Sequence, residues 1–90
     1  MSERRSKQDI IYDMLRAVQA KGGTIKPTHL LYKSNLSHQR MKEYVQELKE
    51  RKLLEEQPKD DRTVFALTQN GYEFLQKFQQ LKAFTEAFGL

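Results

Sequence analysis

Lys26-Pro27-Thr28-His29-Leu30-Leu31-Tyr32-Lys33-Ser34-Asn35-Leu36-Ser37-His38-Gln39-Arg40 reads as a short helix, a tight turn and the start of a second helix. Pro27 suits a first helical turn, where a backbone N–H has no intrahelical partner anyway. The first of the two helices then runs from about residue 27 to 34, with Leu30 and Leu31 facing inward. Asn35 tolerates the left-handed conformation that the turn needs. Leu36 fills the angle between the helices, and Ser37 has the side chain of an N-cap. Beyond it Met41, Tyr44, Val45 and Leu48 recur at i, i+3, i+4 and i+7, which gives the following helix one apolar face. His38, Gln39, Arg40, Lys42, Glu43 and Gln46 are left pointing outward. Glu43, Glu47 and Glu50 alternate with Lys42, Lys49 and Arg51, the usual pattern of a solvated helix.

Working outward, Ser6 and Asp9 form a short capping box ahead of Ile10, Ile11, Met14, Leu15 and Val18, which share a helical period. Lys21-Gly22-Gly23 stops that helix, because glycine accepts the left-handed C-terminal turn. Thr24-Ile25 is long enough for a strand stub only. Downstream, residues 52–57 read as a strand, Pro58-Lys59-Asp60-Asp61-Arg62 as a turn and residues 63–67 as the return strand. Thr68 caps a last helix of roughly 20 residues. The order helix, strand stub, helix, helix, hairpin, helix is that of a winged helix: a mainly α chain with a small β-hairpin. The expected division is a winged helix-turn-helix domain over residues 1–67 and a continuous dimerisation helix over residues 68–90, forming a dimeric coiled coil.

Charge is unevenly spread over this frame. The 90 residues carry a formal net charge of +4, but residues 1–54 hold 12 Lys/Arg against 6 Asp/Glu, and residues 55–90 hold 4 against 6. Residues 14–42 contain Arg16, Lys21, Lys26, Lys33, Arg40, Lys42 and both histidines without a single Asp or Glu. A positive field laid over a motif whose second helix fits a DNA groove points to nucleic acid. With no cysteine, disulfides, thiolate metal sites and a cysteine nucleophile are excluded. The start Met-Ser-Glu-Arg-Arg lacks the apolar core of a secretory signal, and no apolar run approaches a membrane span. A cytoplasmic, nucleoid-associated protein is the expectation.

The candidate reader is the helix after Ser37. Arg40 can bond guanine O6 and N7, Gln39 can pair with adenine, and His38 can meet a phosphate or a base. The alternative is that these are the exposed polar residues that every surface helix carries. Lys26, Thr28, His29 and Lys33 can contact phosphates, Lys59 and Arg62 can grip DNA from the wing, and Arg4, Arg5 and Lys7 can form a short basic arm; the alternatives are a helix-start residue at Thr28, an ordinary surface position at His29, a solvated hairpin turn and a frayed basic terminus. Asp60 and Asp61 at the wing tip oppose contact from the wing. The histidines are nine residues apart with no Cys or carboxylate between them, which is not zinc-ligand spacing. No catalytic constellation and no glycine-rich phosphate loop appear, so neither an enzyme, a cofactor nor a small-molecule substrate is expected.

On the last helix Phe74, Phe78, Leu81, Thr85 and Phe88 follow the 4-3-4-3 spacing of a coiled-coil seam, with Phe84 beside it. Tyr72 and Leu75 can pack on the winged helix, but the distal residues have no evident partner within so small a body. A homodimer interface of Phe74, Phe78, Leu81, Phe84 and Phe88 is therefore expected, the alternative being a helix folded back over its own domain. For the whole chain, the expected function is double-stranded DNA binding as a homodimer, as transcriptional regulator or chromatin protein. The alternative is a winged-helix protein–protein interaction module. RNA lacks support, because the basic face shows no aromatic stacking platform.

The segments Ile10-Ile11-Tyr12-Asp13-Met14-Leu15, Thr28-His29-Leu30-Leu31-Tyr32-Lys33-Ser34-Asn35-Leu36-Ser37 and Leu67-Thr68-Gln69-Asn70-Gly71-Tyr72-Glu73-Phe74-Leu75, with Tyr44 and Leu48, carry a resemblance. The chain resembles the small archaeal winged-helix DNA-binding proteins of the ten-a type, which are chromatin-associated and regulator-like. The resemblance spans nearly all of it. It implies a homodimer joined by an antiparallel coiled coil of C-terminal helices, and duplex binding with limited sequence demand. By position it implies that His38, Gln39, Arg40 and Lys42 lie at the groove and Lys59 and Arg62 on the wing; Ser37, at the start of the same helix, is also an expected DNA-contact residue. His38 departs from the tyrosine common in those relatives, and the last helix is unusually short and phenylalanine-rich.

Overall fold

The computed structural model describes residues 5–90. Arg4, the first residue of the expected basic arm, lies outside them. The elements are α1 (Lys7–Ala20), β1 (Thr24–Ile25), α2 (Pro27–Ser34), α3 (His38–Glu50), β2 (Leu54–Lys59), β3 (Arg62–Leu67) and α4 (Gln69–Ala87). The strands form one antiparallel sheet in the order β1-β3-β2. This is the expected winged-helix order, mainly helical with a small sheet.

Three of the four helices start where a side chain takes an orphan N–H. Ser6 Oγ accepts from the Asp9 N–H at 3.1 Å, and Asp9 Oδ2 accepts in return from the Ser6 N–H at 3.2 Å. Ser37 Oγ accepts from the Arg40 N–H at 3.2 Å, and Thr68 Oγ1 from the Gly71 N–H at 3.0 Å. Helix α2 has no side-chain cap and starts on Pro27 instead. Asn35 closes it in the left-handed conformation, φ 57° and ψ 43°. Gly22 and Gly23, at φ 90° and 105°, turn the chain from α1 into β1, a conformation that costs glycine no side-chain clash.

The core lies between the helices and one face of the sheet. Met14, Leu15 and Val18 of α1, Leu30 of α2, Leu48 of α3 and Leu75 of α4 are all essentially solvent-free. Ile25, Leu54, Phe65 and Leu67 close it from the sheet. Burying a side chain of this kind contributes about 1.5–3 kcal/mol. Two of the expected helices are also pinned by charge. Lys7 Nζ donates to Glu47 Oε2 at 2.7 Å, joining α1 to α3, and Arg51 Nε donates to the same oxygen at 3.1 Å. Arg5 donates to Asp13 Oδ2 at 2.8 Å and to the Ser34 carbonyl at 3.0 Å. The described cations of the expected arm are therefore engaged within the chain.

The hairpin departs from the sequence expectation at both ends. Strand β2 begins at Leu54 rather than residue 52, because Lys52 takes a left-handed conformation with φ 62° and turns the chain out of α3. The wing turn contains only Asp60 and Asp61, both at positive φ (50° and 61°), with Lys59 opposite Arg62. Such a two-residue turn twists in the same sense as the strands it joins. Pro58 is consequently inside β2. It is tolerated because β2 is an edge strand and because alternation from the Lys59–Arg62 pair leaves Pro58–Thr63 a non-hydrogen-bonded pair, which asks no N–H of the proline.

Helix α4 divides its phenylalanines between two environments. Phe78 stacks on Tyr12 of α1, ring centroids 4.8 Å apart, and on Phe74 at 5.7 Å. Gln79 Nε2 donates to the Tyr12 hydroxyl at 3.3 Å, and Lys82 sits 5.5 Å from the centre of the same ring. The first half of α4 thus packs on its own domain. Leu81, Phe84 and Phe88 are 58%, 62% and 66% exposed. The single seam expected from the spacing is split by the Tyr12 contact.

The acid response follows from two carboxylates. Hydrogen bonds from Ser6, backbone first, hold Asp9 below its ordinary range, and hydrogen bonds from Lys7 and then Arg51 do the same for Glu47. A carboxyl whose folded-state pKa is depressed stabilises the fold above its unfolded value, and that contribution is lost as pH falls through the folded one. The melting temperature is expected to drop on titration from neutrality to about pH 3, and Glu47→Gln to show a smaller drop than the wild type.

Candidate nucleic-acid interface

The sheet register assembles the first group of cations. Lys59 and Arg62 are cross-strand partners, so both side chains leave the same face of the hairpin. Gln57, Val64, Glu55 and Ala66 alternate onto that face, and Leu54, Phe65 and Leu67 onto the core face. On β1, Thr24 pairs with Ala66 and Ile25 with Phe65. Continuing this register by one residue sets Lys26 beside Val64. Accordingly Lys26, Lys59, Asp60, Arg62 and Val64 line one open cleft. A recess adjoining it is lined by Lys21, Thr24, Ile25, Lys26, His29, Lys59 and Val64. The wing, the β1–α2 junction and the end of α1 thus bring Lys21, Lys26, His29, Lys59 and Arg62 to one surface. Asp60 is the acidic member of that lining.

Lys21 belongs to this surface, although the sequence gives it no contact role of its own and places it at a helix stop. Its place in the acid-free run was the available signal. Thr28 and Lys33 are exposed on α2 with His29. Between them Tyr32 is 81% exposed, an aromatic on the same helix that composition did not flag.

Helix α3 arranges its exposed side chains in three lines. Successive residues turn by about 100°, and Met41, Val45 and Leu48 fix the inward direction. Diametrically opposite lie Gln39, Glu43, Gln46 and Glu50. Gln39 Nε2 donates to Glu43 Oε2 at 3.1 Å and Gln46 Nε2 to Glu50 Oε2 at 3.2 Å. His38, Lys42 and Lys49 form one flank, tied toward the sheet by Lys49 Nζ donating to Glu56 Oε2 at 2.8 Å. Arg40, Glu47 and Arg51 form the other, tied toward α1 by Lys7. Arg40 lies over the Tyr44 ring, 5.8 Å from its centroid. Ser37 is exposed, and its Oγ is occupied as the N-cap acceptor. All the sequence-designated residues of α2, α3 and the wing are therefore exposed, but they are dispersed: Lys26, His29, Lys59 and Arg62 line the recesses, His38 and Lys42 stand on one flank of α3, Arg40 on the other and Gln39 between them, and Thr28 and Lys33 stand elsewhere on α2.

Among the described residues no three His, Cys, Asp or Glu side chains converge as metal ligands, and no helix is long and apolar enough to cross a membrane. Positively charged flanks on an otherwise open surface can neutralise a polyanion without holding a small ligand.

The winged helix-turn-helix sequence family matches residues 4–86. The chain belongs to that family. Several solved structures share its fold at low identity. Sso10a-2, a DNA-binding protein from Sulfolobus solfataricus, superposes with a TM-score of 0.78 at 18% identity, over 93% of this chain and 85% of its own. F93 from STIV, a winged-helix DNA-binding protein, gives 0.72 at 17%, over 86% and 90%. The transcriptional regulator PcaV from Streptomyces coelicolor, solved with its natural ligand, gives 0.74 at 21%, over 97% of this chain but only 62% of its own. No curated protein sequence matches significantly.

Proposed function

We propose that this winged helix-turn-helix protein binds double-stranded DNA as a homodimer, acting as a transcriptional regulator or chromatin protein in the nucleoid-bearing cytoplasm. The observation that carries the reading is the meeting of the wing with the start of the helix-turn-helix: Lys21, Lys26, His29, Lys59 and Arg62 line adjoining recesses, while Arg40 and Lys42 stand on the two flanks of α3. Neutralised phosphates supply affinity and register, and the inserted helix presents side chains to the base edges. The mode of action is binding alone, with no cofactor. The fold of proteins described as DNA-binding supports the same reading.

Dimerisation is assigned to the distal half of α4, where Leu81, Phe84 and Phe88 form an exposed apolar strip. Phe74 and Phe78 buttress the root of that helix against Tyr12. A second copy of α4 covers the strip and sets the spacing of two readers, hence of two half-sites.

Fluorescence anisotropy with random-sequence duplex over a salt series tests the reading. The expected log–log slope is about −0.9 for each neutralised phosphate, with several phosphates per dimer. Sedimentation of Phe84→Ser/Phe88→Ser should give a monomer of unchanged helical content, whose affinity falls with the loss of the second reader. A folded wild-type protein that binds no duplex at low salt would refute DNA binding and favour the interaction-module reading.

A further inference from the structure

The outermost line of α3 is not its basic part. It is Gln39, Glu43, Gln46 and Glu50, opposite the buried Met41, Val45 and Leu48, while the cations Arg40 and Lys42 stand on the two flanks. The formal charges along α3 itself cancel: Arg40, Lys42 and Lys49 against Glu43, Glu47 and Glu50. A helix built only to neutralise phosphates gains nothing from a carboxylate on the line that points deepest into the groove. Each such charge opposes the polyanion. The other acids of α3 have their own environments. Glu47 is bound by Lys7 and Arg51, and Glu50 lies in the last turn, remote from the N-terminal half of a helix that reads base edges. Glu43 lies in the second turn. Among the described residues it has no cationic partner within ion-pair distance, although Arg40 and Lys42 are its near neighbours. Its oxygen instead takes one N–H of the neutral Gln39 amide at 3.1 Å. That bond holds the carboxylate on the outward line and leaves its remaining acceptor sites open.

Resting on the duplex-binding reading above, we infer that Glu43 is a specificity-determining residue that accepts a hydrogen bond from the exocyclic amine of a base in the major groove, cytosine N4 foremost, with Gln39 as its positioning residue. The chemistry is selective because an ionised carboxylate only accepts. Cytosine offers N4–H₂ in the major groove, whereas guanine presents O6 and N7 and thymine presents O4, all acceptors facing a negative charge. At a mismatched base Glu43 therefore sits unpaired and repelled. The flanking cations supply affinity to any duplex, and Glu43 withdraws part of it wherever the base lacks a donor. The protein discriminates by this penalty as much as by the bond.

The test is selection from a random-sequence duplex library with the full chain, followed by anisotropy on the enriched and random duplexes, for the wild type, Glu43→Ala and Glu43→Gln. Glu43 is exposed and its replacement by either residue preserves helix propensity. The wild type is expected to enrich a site with cytosine at one position of each half-site. Replacing that base should weaken binding by roughly 5- to 150-fold. Glu43→Ala should bind random duplex several-fold tighter and lose the preference at that position alone. Glu43→Gln, which presents a donor and an acceptor, should shift the preference toward adenine. Gln39→Ala should blunt the cytosine preference without tightening random binding to the extent that Glu43→Ala does. Wild-type binding with no enriched motif, or the same motif for the wild type and Glu43→Ala, would overturn the inference and leave the duplex-binding reading intact. Absence of binding to any duplex would overturn both.

Discussion

Lys26→Glu combined with Lys59→Glu is expected to lower affinity for random duplex by roughly a thousandfold or more at 0.1 M salt, and to flatten the salt dependence. Each neutralised phosphate multiplies the binding constant by about eightfold at that salt concentration, following a slope of −0.9 per contact. Two contacts in each of two protomers compound to that figure, and the log–log slope should fall by about 4 per dimer. Reversal adds repulsion to the loss. Lys26 and Lys59 are the right pair because they line both recesses of the basic surface. Both are exposed, and among the described residues neither is in an ion pair, so the melting temperature should hold. The reversal therefore separates binding from folding. An unchanged affinity and slope in anisotropy would remove the wing and the β1–α2 junction from the interface and leave α3 alone to carry it.

That pair also shows what the sequence could and could not reveal. The acid-free run made Lys26 and His29 visible as a positive field, and Ser6, Ser37 and Thr68 marked the three capped helix starts by their chemistry alone. The helix-turn-helix was legible for the same reason: Pro27, Asn35 and Ser37 each act within a few residues of themselves. Meeting of Lys26 with Lys59 was not legible, because it depends on the β1–β3 register between residues far apart in the chain. Pro58 carried a turn signal that an edge strand overrides. Lys52 carried no turn signal at all: its left-handed conformation is paid for by contacts from Thr68, whose hydroxyl donates to the Lys52 carbonyl at 2.6 Å and whose N–H donates to that of Leu53 at 3.3 Å. The split of α4 depends likewise on Tyr12, which Gln79 meets across 67 positions. Periodicity read the helix correctly and could not say which part of its apolar face its own domain would claim. Glu43 was visible only as one member of an alternating charge pattern; its isolation from cations is a fact of side-chain geometry.

Gly71→Ala is expected to destabilise the fold by about 2–4 kcal/mol, against the ordinary sign of this substitution. Alanine inside a helix is normally more stable than glycine by roughly 0.5–1 kcal/mol. Gly71, however, is the third residue of α4 and lies against the turn between α3 and β2. A Cβ there would run into the backbone carbonyl oxygen of Leu53 and come within 2.8 Å of Leu67 Cδ2. The Leu53 carbonyl cannot swing aside freely, because it accepts the Thr68 N–H, and its neighbour Lys52 gives its own carbonyl to the Thr68 hydroxyl. That same hydroxyl oxygen caps α4 by accepting from the Gly71 N–H. Relief therefore requires α4 to back away from the turn, which costs about 1–3 kcal/mol for overpacking and about 1 kcal/mol for the disturbed cap. For a domain of this size 1 kcal/mol moves the melting temperature by about 4–8 °C, so a fall on the order of 10–25 °C should appear in a thermal melt. Asn70→Ala, one residue earlier and exposed, should stay within about 0.5 kcal/mol of wild type. A Gly71→Ala protein as stable as the wild type would mean that the start of α4 is not seated on the Leu53 turn. The direction in which α4 leaves the domain depends on that seat, and with it the separation of two readers in a dimer built on Leu81, Phe84 and Phe88.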